Sequence, residues 1–203
     1  MVKDKYYGKR LCLDNIEDYM ITMGYISDDY KEFTSKLPIV GILQRDFEDK
    51  NDCTISSITS YVKYFTKDAE STIDVYNYVR EISKKYFYNG DTYGFVIVFI
   101  KNVLDKVLSH FHESRKTKCL YVKGLGFNLD TMIRILDWGI PIILSVTSDG
   151  RGYYSRHTVT VYGYHKFISS GGTKVMLMVY DNWNSTRSYI DYSKMSALCS
   201  ICY

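Results

Sequence analysis

The sequence predicts an α+β domain in which a layer of helices packs on an antiparallel sheet, and three observations carry that prediction. In the first half, apolar residues recur at steps of three and four near 53–65, 72–87 and 95–111, the spacing of helices with one buried face. From 141 onward β-branched and aromatic runs take over: Pro141–Thr147, Thr158–Tyr164, Val175–Tyr180 and Ser188–Asp191, parted by Asp149-Gly150 and Ser170-Gly171-Gly172. That is the pattern of an antiparallel meander. Helices first and strands second put the two kinds of element in separate layers. A chain of 203 residues, 46% hydrophobic and 24% charged, can bury one core, and it shows no dividing linker.

Residues 1–35 are polar and tyrosine-rich, with a short helix expected at Asp14–Met23. They read as an N-terminal arm or extension, leaving 36–203 as the domain. Leu37-Pro38-Ile39-Val40-Gly41-Ile42-Leu43-Gln44 is an apolar strand or extended lead-in. Asn51 and Asp52 are both good N-caps for a helix carrying Ile55, Ile58, Val62 and Phe65 on one stripe. Ser71 caps a second helix with Ile73, Tyr76, Val79, Ile82 and Tyr86 on one face, and Asn89-Gly90-Asp91 is a turn. The third helix is apolar along Val96, Phe99, Val103, Val107 and Leu108. A strand at Cys119–Val122 follows, then a helix from Leu129 to Trp138 capped by Asn128 and ended by Gly139.

A net charge of +3, with both signs interspersed, gives no field that argues for a nucleic-acid partner. The first residues have no apolar core of the kind a secretion signal needs, and no run reaches transmembrane length. The expectation is a cytoplasmic protein without a membrane partner; the oligomeric state is left open. The 21 tyrosines suggest half-exposed aromatic faces along a binding surface. Five cysteines in irregular spacing argue against a disulfide framework. Cys199-Ser-Ile-Cys202 has C-x-x-C spacing but no second pair to complete a zinc site, so neither a metal nor another cofactor is expected.

Chemistry points to Cys53. It falls in the first turn of its helix, where unpaired amides and the helix dipole favour an anion and depress a thiol pKa. A thiolate nucleophile needs an imidazole, a group orienting that imidazole, and donors for an oxyanion. His110 and His112 lie at a polar helix end and His165 closes a strand towards solvent, whereas His157 opens a strand after a glycine-containing loop. Asp181-Asn182-Trp183 ends the next strand. Antiparallel neighbours place the start of one strand beside the end of the next, which brings the Asp181 carboxylate close to the His157 ring.

The order Gln44, then Asn51-Asp52-Cys53 opening a helix, Gly139-Ile140-Pro141-Ile142 leading a strand, His157-Thr158-Val159-Thr160-Val161-Tyr162-Gly163-Tyr164, and Val179-Tyr180-Asp181-Asn182-Trp183 resembles the papain-like cysteine peptidases, most of all their bacterial C39-like branch. The resemblance covers about Pro38 to Tyr192. It implies the papain-like fold with its cleft between helices and sheet, and a peptide or protein substrate. Carried over, Cys53 is the nucleophile, His157 the general base and acid, Asp181 the orienter of the histidine, and Gln44 an oxyanion donor beside the Cys53 amide. Trp183 shields the His-Asp pair, Asn182 is an alternative orienter, and Asp52 and Thr54 flank the groove. Thr54 stands where the family carries a small residue, and is expected to crowd the oxyanion pocket. The nine positions from Gln44 to Cys53 exceed the family spacing. The reading is a thiol hydrolase working through an acyl-enzyme; an acyltransferase on the same triad, or a non-catalytic binding protein on the scaffold, are the alternatives.

Overall fold

A computed structural model describes residues 30–39, 41–43, 46–47, 52–67, 69–86, 97–121, 129–146, 157–169, 172–183, 188–195 and 200–203. The expected helix at 14–23, the turn at 89–91, the loop before His157, and Asn51, Asn128, Gln44, Cys12 and Cys199 lie outside the described residues. The element order is β1 (Tyr30–Lys36), α1 (Cys53–Thr66), α2 (Thr72–Lys84), α3 (Ile97–His110), β2 (Cys119–Tyr121), α4 (Leu129–Asp137), β3 (Ile142–Val146), β4 (His157–Ser169), β5 (Gly172–Tyr180), β6 (Ser188–Asp191) and β7 (Ser200–Cys202). This is an α+β fold with an antiparallel sheet.

Among the described residues the sheet has seven strands, in the order β2-β7-β3-β4-β5-β6, with β1 pairing β4. The meander β3 to β6 is the one the β-branched runs predict, and β1 crosses the boundary at residue 36, tying the end of the arm to β4 from Tyr30↔Ser169 to Lys36↔Gly163. The sheet buries both faces, as period-two alternation in β3 shows. Ile142, Leu144 and Val146 join a core with Met132, Ile135 and Leu136 of α4. Ile143 points the other way, into a core built from α1, α2 and α3. The helical layer is therefore α1 to α3, and α4 joins the core on the opposite face.

Local chemistry explains the helix ends. The Ser71 hydroxyl accepts from the Asp74 amide at 3.1 Å, as its cap position requires. Past α4, Gly139 takes φ +76; its amide donates to Leu136 O at 2.9 Å, and the Ile140 amide donates to Ile135 O at 3.1 Å. That pair of bonds is a Schellman end, which needs a left-handed residue. One expectation fails: Ile73 is 50% exposed because Val75 and Ser83, not Ile73, complete the buried face of α2. Asp52 takes the N-cap position of α1, without a side-chain cap bond.

A disulfide between Cys119 and Cys202 also corrects the expectation of unpaired cysteines. The two residues are direct antiparallel partners of β2 and β7, although 83 positions apart. Spacing along the chain carries no trace of that pairing. His165 does not close its strand: it lies in mid-β4 opposite Met176, half-buried, its ring edge-on to Tyr189 at 5.6 Å.

Candidate active site

The sulfur, the imidazole and the aspartate meet where three element ends converge. Cys53 is the first residue of α1, His157 the first of β4, and Asp181 follows the last residue of β5. The β4–β5 register, with Thr160 opposite Tyr180, carries Asp181 back beside His157. His157 Nε2 donates to the Asp181 carbonyl at 2.6 Å. A carbonyl can only accept, so Nε2 holds a proton and, in the neutral ring, Nδ1 is the basic nitrogen.

The bond therefore comes from the Asp181 main chain. Its carboxylate accepts the Trp183 amide on Oδ1 at 3.0 Å and the Ser188 hydroxyl on Oδ2 at 3.1 Å, and acts on the ring through its negative charge. The Trp183 indole stacks on the His157 ring, centroids 3.8 Å apart and planes 29° off parallel. A ring that covers one imidazole face restricts water there and favours the cation.

The electrostatics of the pair follow from its burial and its proximity. Burial pushes the Cys53 thiol up, but the His157 charge and hydrogen bond, helped by the Thr158 backbone and the Thr54 hydroxyl, bring it down from 9.0 to about 7. Burial pushes His157 down, and the Cys53 charge and hydrogen bond, then the Asp181 carbonyl and charge, more than offset it, leaving the imidazole above its ordinary value. Opposite shifts of this kind favour a thiolate facing an imidazolium. Cys53 retains 7% of its surface, so burial does not wall it off completely.

Around the pair lies a polar seam between α1 and the sheet. Asp52 is fully buried; its backbone carbonyl accepts from Ser56 N at 2.8 Å and its carboxylate accepts the Tyr76 hydroxyl. The Thr54 hydroxyl bonds that of Thr158 at 3.0 Å, and the Thr158 hydroxyl lies 3.4 Å from Ser145 Oγ. Ser57 donates to the Thr158 carbonyl at 3.1 Å. Asp52, Thr54 and Asn182, expected along the groove, are buried instead: Asp52 against Tyr76 of α2, Thr54 and Asn182 between α1 and β4. Thr54 is turned towards the sheet.

Sequence reasoning missed Ser57, Ser145, Thr158 and Ser188. The alternation Thr158-x-Thr160 in a strand otherwise apolar was a usable signal for β4; the serines of α1 lie off its apolar stripe and gave none. Gln44 lies outside the described residues. Among the described residues no three His, Cys, Asp or Glu side chains group as a metal site, and no helix is long and apolar enough to cross a membrane.

No curated protein matches the sequence. The Peptidase_C39 like family matches residues 36–200, which contain every described residue of the site. On that match, and with an α+β fold of papain-like type, the chain belongs to the Peptidase_C39 like family of cysteine-peptidase-type proteins.

Proposed function

We propose that the protein is a thiol hydrolase that cleaves a peptide or related acyl bond with Cys53, His157 and Asp181. The observation that carries this reading is the imidazole held between the Cys53 sulfur and the Asp181 carbonyl, with the thiol lowered to about 7. His157 Nδ1 takes the thiol proton, and the thiolate attacks the substrate carbonyl. The oxyanion receives the Cys53 amide, one of the first-turn N–H groups that have no partner within a helix, with Gln44 as the second donor. Collapse breaks the acyl bond as His157 returns its proton to the leaving group. Water then loses a proton to His157 and opens the thioester, releasing the acid and restoring the thiol. Peptide and water are the only reactants, and no cofactor, nucleic acid or membrane takes part.

The test is turnover of a mixed peptide library, read by mass spectrometry for new termini. The wild-type protein cleaves, and Cys53→Ala lowers cleavage by roughly 10³-fold or more. Product that appears only when an amine is added identifies an acyltransferase. Unchanged peptide affinity in Cys53→Ala, with no product from the wild type, identifies a binding protein and overturns the proposal.

A further inference from the structure

Asn182 is buried at 1% exposure between the nucleophile's helix and the histidine's strand. Its Nδ2 donates to the Cys53 carbonyl at 3.1 Å, to Ser57 Oγ at 2.9 Å and to the Thr158 carbonyl at 3.0 Å. None of these bonds reaches the imidazole. Two of the three acceptors belong to the residues at the reacting centre: the carbonyl of the nucleophile itself and that of the residue after His157. We infer that Asn182 is a positioning residue that sets the gap between α1 and β4, and with it the approach of the Cys53 sulfur to the His157 ring. The inference rests on the thiol-hydrolase reading and adds to it a residue that touches neither sulfur nor ring.

Two independent constraints select asparagine here. Asn182 has φ 63, the left-handed region that asparagine tolerates better than most side chains. The acceptors demand an NH2 group: both carbonyls can only accept, and Ser57 spends its own hydrogen on the Thr158 carbonyl. A carboxylate of the same shape would set lone pairs against lone pairs. The choice leaves Asn182 Oδ1 buried without a partner among the described residues, so the donors on the other side of the amide fix its orientation. The same side chain also anchors the peptide unit it shares with the Asp181 carbonyl, the group that holds His157 Nε2 at 2.6 Å. One residue therefore governs both the gap and the aim of the ring.

The test measures the pH midpoint of Cys53 alkylation by iodoacetamide in three variants, with melting temperature recorded in parallel. Asn182→Gly keeps the left-handed turn and removes the amide; Asn182→Asp keeps the shape and replaces donors with acceptors; His157→Ala reports on the underlying pair. Both Asn182 variants are expected to move the midpoint upward by about one pH unit, an alkylation rate about fivefold lower at pH 7. A midpoint that stays put in a folded Asn182 variant, with or without a loss of melting temperature, while His157→Ala shifts it, overturns the positioning role and leaves the hydrolase reading intact. A midpoint that His157→Ala also fails to move defeats the reading itself. If neither Asn182 variant folds, Ser57→Ala decides, since it deletes one of the three anchors: a smaller upward shift supports the role and none overturns it.

Discussion

Thr54 shows how a residue's type and its action part company. A β-branched side chain after Cys53 suggests a crowded pocket there, yet its hydroxyl turns to Thr158 at 3.0 Å and helps hold the Cys53 thiol down. Thr54→Val, which keeps the volume and deletes the hydroxyl, leaves the Thr158 hydroxyl one partner short in the interior. We expect it to cost about 1–2 kcal/mol in chemical denaturation and to raise the Cys53 alkylation midpoint; a lower midpoint would contradict the assigned hydrogen bond. Cys53, His157 and Asp181 were legible as residue types at the ends of predicted elements, because helix and strand periodicity places those ends. The use of the Asp181 carbonyl as the ring's acceptor was not, since every residue has a carbonyl and its aim depends on the fold. Ser57 was silent, since a serine on a polar helix face looks solvated until a second layer covers it, and Asn182 was legible only as an alternative orienter of the ring, not as a link between α1 and β4.

At the scale of elements, α1 is the clearest departure from its amphipathic pattern. Ile55, Ile58 and Val62 face one core as their spacing predicts, but Ser56, Ser57, Thr59 and Ser60 are buried too. Contact with β4 accounts for this, through Ser57 to Thr158 and Thr160 to the Ser57 carbonyl. The ends of β5 are held as tightly. A Cβ at Gly41 would overlap the Tyr180 ring, which stacks on Tyr162 at 4.6 Å. Gly41→Ala therefore pushes on the residue immediately before Asp181. The expected result is a loss of about 1–3 kcal/mol together with slower Cys53 alkylation at neutral pH; full reactivity in a destabilised variant would separate the lead-in from the site. The strands of the meander and the cap at Ser71 were readable because turn residues and caps act locally. The pairings of β1 with β4 and of β2 with β7 were not, because short edge strands find partners through register that no local signal encodes.

Across the whole molecule, two cross-links hold the sheet's distant parts. Lys174 and Asp191 form an ion pair at 2.6 Å with side chains 9% and 0% exposed, joining β5 to β6. Cys119–Cys202 closes 83 residues that include His157, Asp181 and Trp183. Restricting an unfolded loop of that length is worth about 4 kcal/mol in the chain-entropy account. Dithiothreitol should therefore lower the melting temperature of the wild type and leave Cys119→Ser unaffected; equal melting with and without reductant would show that the bond does not form. The central claim concerns Cys53 and His157, and the rate of Cys53 alkylation against pH tests it most directly. Thiolate is the reactive form, so a thiol lowered to about 7 gives half-maximal alkylation near that pH, with a tenfold fall per unit below it. His157→Ala removes the offsetting charge and its hydrogen bond and leaves only the Thr158 and Thr54 hydrogen bonds against burial, so the midpoint rises well above 7. A wild-type midpoint at 9.0 or above, or one that His157→Ala leaves in place, would contradict the account.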